Sequence, residues 1–244
     1  MVKGNKMIVQ PESPACLNRR RRTYPWTEHG VGIALLVVLT VLLFVGIGDE
    51  QQIAAWFRES RLLFPSLASC FATLSKYGNI PFYGLYLYVF LRSRSPERGG
   101  DRRFVVQYLL LLVLLLLVTD MLKIWIGRPR PGEAGEYLLL SLRKAQHSFP
   151  SNHMTETAFT LISLAVYFRN RAFTLFCSAW VALAGLARMY LGRHHPTDLL
   201  GSVLLGSIGV YLLWRLWNGV SEEANSVPLA ANNNAVGREM RLLP

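Results

Sequence analysis

The chain has 244 residues, 52% of them hydrophobic and only 17% charged. A water-soluble domain carries roughly 25% charge, so composition speaks against that class. The formal net charge is +11 and the isoelectric point about 10.0. That balance invites a nucleic-acid reading, but basic loops are what the positive-inside rule puts on a membrane protein, and no nucleic-acid partner is expected.

Residues 1–29 are polar, broken by Pro11 and Pro14, and carry the run from Arg19 to Arg22. They read as a flexible cytoplasmic tail ending at an interfacial Tyr24 and Trp26. Polar residues precede the first apolar run by about thirty positions, which predicts a retained anchor rather than a cleavable signal. The first span is expected over 31–47, closed on the far side by Asp49 and Glu50. From 50 to 79, Ile53, Trp56, Phe57, Leu62 and Leu63 are interleaved with Arg58, Glu59 and Arg61. Leu67, Phe71 and Leu74 recur at helical spacing after Pro65. Both patterns predict amphipathic helices on the outer surface, as a cap over the bundle or a wall for lipid entry.

A short second span starts between 77 and 81 and ends at 91. The basic loop that follows holds Arg92, Arg94, Arg98, Arg102 and Arg103. The third span, 104–122, is long enough to cross ~30 Å of hydrocarbon at ~1.5 Å per residue. A long outer loop, 123–152, leads to spans over 154–168, 172–191 and 199–217, and the tail from Ser221 reads as disordered. The expected architecture is therefore all-α. A membrane domain over 30–217 holds six transmembrane helices, between cytoplasmic tails 1–29 and 218–244. Sixteen of the 26 basic residues then fall on the cytoplasmic side. Cys16, Cys70 and Cys177 are separated by this topology, so no disulfide is expected.

Three polar clusters interrupt the apolar pattern at span ends. The first runs from Lys123 through Arg128 to Arg130, the second is Pro150-Ser151-Asn152-His153, and the third runs from Arg188 through His194 to Asp198. Charged groups at membrane helix ends are costly, so their presence points to function. Six spans place all three clusters on the outer side. Lys123, Arg130 and Arg188 are suited to neutralise a phosphoryl group without a metal. Ser151 and Asn152 are helix N-cap types, and backbone N–H groups there point at an anion. His153 is the candidate general acid. His194 is the candidate nucleophile, with Asp198, four residues on, expected to take a ring N–H and fix its tautomer.

Taken one at a time, each has a bland reading. Lys123 and Arg130 suit snorkelling anchors, and His153 suits a capping histidine. Arg128 reads as a salt-bridge partner or a second phosphate contact, and His195 as structural. The pattern Lys-x6-Arg-Pro, Pro-Ser-x-His and Arg-x5-His-x3-Asp resembles the type-2 phosphatidic acid phosphatase superfamily over about residues 30–217. The resemblance implies six helices with an outer-face site. It also implies phosphate binding by Lys123, Arg130, Ser151, Asn152 and Arg188, protonation of the leaving group by His153, attack by His194 and support from Asp198. No metal or cofactor is implied. Asn152 stands where that family usually has Gly, and Ala187 where it usually has Ser.

The implied protein is a lipid phosphatase of a bacterial inner membrane, acting at the periplasmic face on a lipid phosphate or pyrophosphate, with no obligate protein partner. A lipid phosphotransferase with the same site, a metallohydrolase using His153, His194 and Asp198, and a non-enzymatic anionic-lipid binder or transporter are the alternatives. Arg128, Arg143 and Lys144 favour a highly charged head group.

Overall fold

The computed structural model describes residues 23–94, 99–133 and 136–239. The Arg19 to Arg22 run, Cys16 and Arg98 lie outside them. The described residues form eight α-helices and one short 3-10 turn, Lys144–Gln146. The helices are α1 (Trp26–Gly46), α2 (Glu50–Leu63), α3 (Pro65–Tyr77), α4 (Ile80–Arg92), α5 (Gly99–Ile126), α6 (Asn152–Phe168), α7 (Arg171–Tyr190) and α8 (Pro196–Glu239).

Local chemistry sets most boundaries. Asp49 caps α2 with a capping box: its carboxylate accepts from Gln51 N and Gln52 N at 2.9 and 2.8 Å, and Gln52 Oε1 accepts from Asp49 N at 2.9 Å. Pro65 opens α3 at a position where a missing N–H costs nothing. Asn170 caps α7 by accepting from Phe173 N at 3.0 Å.

Helix α6 is the axis of the bundle and packs against α1, α5, α7 and α8. Its interior face is closely filled, with Met154, Ala158, Phe159, Leu161, Ile162 and Leu164 fully buried. Polar side chains there are tied down: Tyr108 Oη and Thr160 Oγ1 pair at 2.8 Å, and Tyr86 donates to the Thr160 carbonyl at 3.0 Å. A fully wrapped helix needs less apolar character than a lipid-facing one, which explains how Thr155, Thr157, Thr160 and Ser163 sit in a predicted span. By contrast α5 presents Leu109, Leu110, Val113, Leu114 and Leu117 outward.

Four helical stretches are long and apolar enough to cross a membrane: Trp26–Gly46, Gly100–Ile126, Arg171–Tyr190 and Pro196–Gly219. Several such helices make this a multi-pass membrane protein. The other two predicted spans are helical but short, 13 residues in α4 and 17 in α6. Helices α2 and α3 occupy the segment predicted to be amphipathic. Each turns a few apolar residues inward, Ile53 and Phe57 from α2 and Phe71 from α3, and both pack on α7. Tyr190 at the end of α7 clamps them: its hydroxyl donates to the carbonyls of Ser60 and Phe64 at 3.1 and 3.2 Å, and its ring meets Phe57 and Phe71 edge-on.

Two boundaries differ from the sequence reading. Helix α5 runs on to Ile126, so Lys123 stands on its last turn rather than in the outer loop. Helix α8 continues to Glu239, past the point where the composition after Ser221 suggested a disordered tail. Helix-forming Glu222, Glu223 and Ala224 follow Gly219 and let the established helix propagate beyond the span, and the helix then continues past Pro228.

Candidate active site

The three clusters meet at one end of the bundle: the C-terminal turns of α5 and α7, the N-termini of α6 and α8, and the segment 127–151. Gly127 ends α5 at φ +57°, and a Cβ there would lie 1.7 Å from the Leu138 carbonyl oxygen, so only glycine makes this turn. The chain then runs alongside its own return. Arg130 N donates to the Ala145 carbonyl at 2.9 Å, and Ser148 N to the Arg128 carbonyl at 3.0 Å. These two backbone bonds sew the first cluster to the second. Gly192, at φ +65°, turns the chain out of α7, and Arg193 N donates to the Arg188 carbonyl at 3.1 Å.

His194 is buried in the middle. Its Nδ1–H donates to the Ser148 carbonyl at 2.6 Å, and Arg188 Nη2 lies 3.3 Å from Nε2. A carbonyl accepts only, so the proton is on Nδ1 and the lone pair is on Nε2, facing the cations. Burial, reinforced by the Arg188 charge, holds the His194 pKa well below its ordinary 6.5, so the ring is neutral at pH 7. Around it, Lys123, Arg130 and Arg188 are close enough to repel one another, and Arg193 joins them. The Nε atoms of Arg130 and Arg188 are buried without a hydrogen-bond partner. Burial, and then Arg193, hold Arg130 below the ordinary guanidinium range. An anion entering here meets donors that nothing else has claimed.

His153 sits on the first turn of α6, within electrostatic reach of Arg188, Arg193 and Glu156. It makes no hydrogen bond to a described residue. Ser151 caps α6, with Oγ accepting from Met154 N at 3.4 Å, while its own N–H donates to Ser202 Oγ at 2.7 Å. It is fully buried, so its hydroxyl serves the helix end first. Asn152 donates to Asp120 Oδ1 at 2.6 Å, and Asp120 lies 3.5 Å from Lys123 Nζ. The Asn152 side chain is thus drawn toward Asp120 on α5. Ala187 is fully buried.

The expected role of Asp198 needs correcting. Its carboxylate lies 3.9 Å from His194 Nδ1, too far for a hydrogen bond. It accepts instead from Ser148 Oγ at 2.6 Å, His195 N at 2.7 Å and Arg128 Nη1 at 2.6 Å. The reason is local. Pro196 opens α8, so Asp198 falls at the third helical position and satisfies the N–H of the residue before the helix. Ser148 then transmits the effect, with its hydroxyl on Asp198 and its carbonyl on His194. Sequence reasoning missed Ser148, because a backbone carbonyl leaves no residue-type signal.

Arg128 is a structural cation. It bridges Glu50 of α2 and Asp198 of α8 and also donates to Thr197 Oγ1 at 2.8 Å. Burial opposes its charge, but Asp198 and Glu50 together raise its pKa above the ordinary value. Glu50 in turn accepts from Thr197 Oγ1 at 2.5 Å and Thr197 N at 3.1 Å. With both carboxylates engaged this way, no group of three or more His, Cys, Asp or Glu side chains among the described residues converges as metal ligands. Arg143 and Lys144 are exposed on the loop.

The PAP2 superfamily profile matches residues 104–221, the stretch that holds Lys123, Arg130, His153, Arg188, His194 and Asp198. Outside the matched stretch lie α1 to α4, including Glu50 and the capped helix α2. The lipid A 4'-phosphatase of Bacteroides thetaiotaomicron is 25% identical over 146 residues, covering 55% of this chain and 62% of that protein, less than two thirds of its length. The undecaprenyl-diphosphatase BcrC of Bacillus subtilis is 28% identical over 157 residues, covering 61% of this chain and 74% of that protein. A solved transmembrane PAP2-type phosphatidylglycerolphosphate phosphatase from Bacillus subtilis is 22% identical, with a TM-score of 0.48, covering 77% of this chain and 94% of that one.

Proposed function

We propose that the chain is an integral membrane lipid phosphatase that cleaves a phosphomonoester or pyrophosphate of a membrane lipid through a phosphohistidine intermediate. The observation that carries this reading is the state of His194: neutral, pinned at Nδ1 by the Ser148 carbonyl, with Nε2 directed at Arg188. The relatives named above act, by their names, on lipid A and on undecaprenyl diphosphate. The reading adopts what those share, a phosphate on a lipid.

In the first step Nε2 of His194 attacks phosphorus and the bond to the lipid oxygen breaks. His153 gives its proton to that oxygen, which leaves as an alcohol or a lipid monophosphate. Lys123, Arg130 and Arg188 neutralise the equatorial oxygens throughout, and the N-terminus of α6 adds its amides. In the second step water loses a proton to His153 and attacks the phosphohistidine, so that phosphate leaves and Nε2 is restored.

In this reading six helices, α1 and α4 to α8, cross the membrane. Helices α2 and α3 lie on the outer surface. The site faces the extracytoplasmic side of a bacterial inner membrane, with both termini in the cytoplasm. Charge supports this orientation. Arg92, Arg102, Arg103, Arg169, Arg171 and Arg215 belong to the opposite side, where Arg92 pairs with Asp101 at 3.4 Å and Trp217 donates to the Gly100 carbonyl at 2.9 Å.

The test uses the full chain in detergent with chelator present. Phosphate release is measured from phosphatidic acid, undecaprenyl diphosphate and lipid A. His194→Ala is expected to lose at least ~10⁴-fold and His153→Ala about 10²- to 10⁴-fold. Labelled substrate is expected to leave an acid-labile phosphate on the wild type and none on His194→Ala. Unchanged release in both variants ends the reading.

A further inference from the structure

Beside the cation cluster lies a separate cavity of about 480 Å³. Its walls come from α2, the segment after α5 and the residue before α8, and include Glu50, Arg58, Arg61, Arg130, Tyr137 and His195. Its lining contains none of His153, His194, Lys123 or Arg188, so a group held there is not the one being cleaved. Arg130 alone of the phosphate cations belongs to both places. A tight crevice adjoins the cavity on the His194 side. It is lined by Glu50, Ala54, Pro131 and His195, which the cavity also uses, and it reaches His194.

The cavity is cationic in a usable sense. Glu50 is already spent on Arg128 and Thr197, which leaves exposed Glu133 as the acid facing Arg58, Arg61 and Arg130. Arg61 gives one nitrogen to the Tyr190 carbonyl, which fixes its guanidinium at the rim. Two polar atoms in the wall, Arg130 Nε and His195 Nδ1, are buried without a partner. Buried donors and acceptors of that kind call for a ligand. A volume of 300–1,000 Å³ suits a whole polar moiety rather than one phosphate.

We propose that this cavity is a head-group subsite. It takes a sugar-sized polar group bearing a second phosphate, while the scissile phosphate sits at His194. The proposal rests on the phosphatase reading and narrows its substrates to lipids whose head group carries two separated anionic groups. A phosphate bonded directly to the scissile one belongs to the Lys123 and Arg188 cluster, and a plain phosphatidic acid leaves the cavity empty.

Binding decides it independently of turnover. The probe is a glucosamine disaccharide bearing two phosphates and no acyl chains, compared with inorganic phosphate. Both are titrated by calorimetry onto full-length His194→Ala protein in detergent, so that the probe is not consumed. The disaccharide is expected to bind at least about tenfold more tightly than inorganic phosphate, since one added charge-assisted contact contributes about that factor. Adding Arg58→Glu is expected to shrink the preference about tenfold, and Arg58→Lys to restore most of it. Equal affinity for the two probes, or a preference that Arg58→Glu leaves unchanged, overturns the subsite. Wild-type protein that releases no phosphate from any lipid removes the phosphatase reading instead, and the binding ratio still stands or falls by itself.

Discussion

Arg128 and Arg130 are two residues apart, both flanked by proline, and their surroundings are opposite. Arg128 is fully claimed, with one nitrogen on Glu50 and the other on Asp198 and Thr197. Arg130 has a buried Nε with no partner and stands among Arg188, Arg193 and Lys123. The first region ties α2 to the start of α8. The second leaves charge unneutralised at a point where an anion fits. In sequence these two arginines look alike. What separates binding from bracing is whether the protein itself has already satisfied the donor.

Mutations at the two places are expected to fail differently. Arg128→Ala leaves Asp198, fully buried, and Glu50 without their cation; a loss of about 3–5 kcal/mol of stability is expected, read as a large drop in Tm in detergent. A Tm within a degree or two of wild type removes the bracing role. Arg188→Ala is expected to keep Tm near wild type and to lower kcat/KM by about 10²- to 10³-fold, as for loss of one oxyanion donor. If Tm falls and the residual folded protein is fully active, the division between the two regions is wrong.

Asp198→Asn probes the link between them. Were the carboxylate bonded directly to the nucleophile's ring, its loss would cost about 10⁴-fold in kcat. Because the Ser148 carbonyl holds Nδ1–H, a loss nearer tenfold is expected, together with a lower Tm, since Arg128 loses its buried counter-charge. A smaller effect belongs to Glu50. Burial alone would raise its pKa, but Thr197 and Arg128 outweigh burial and set it below the ordinary 4.5. A folded pKa below the unfolded one gives stability that is present above the unfolded value and fades as pH falls through the folded one. Tm is therefore expected to drop below about pH 4.5 in the wild type, and less steeply in Glu50→Gln. Parallel acid limbs in the two proteins remove that contribution.

Much of the site was legible in the residues because its parts are local. Lys123, Arg130, His153, Arg188 and His194 stand at the ends of apolar runs, where a charge without a role is expensive. Proline and cap residues mark where α3, α6, α7 and α8 begin. The even number of predicted spans between clusters implied that they share one end, and they do. Glu50 also stands at a span end, but beside Asp49 it reads only as a charge closing the first span, and its partners Arg128 and Thr197 are 78 and 147 positions away. The cavity under α2 was equally hidden, since it exists only because α2 packs beside the segment after α5.

The amino-acid order by itself determined the all-helical character, the apolar blocks and the identity of the cations and imidazoles, because propensity, capping and hydropathy act over a few neighbouring residues. Only the tertiary structure decided which arginine is spent and which is free, which atom holds the His194 proton, and where a second polar group has room. Those depend on backbone carbonyls and on partners far apart along the chain, and neither leaves a pattern until packing brings them together.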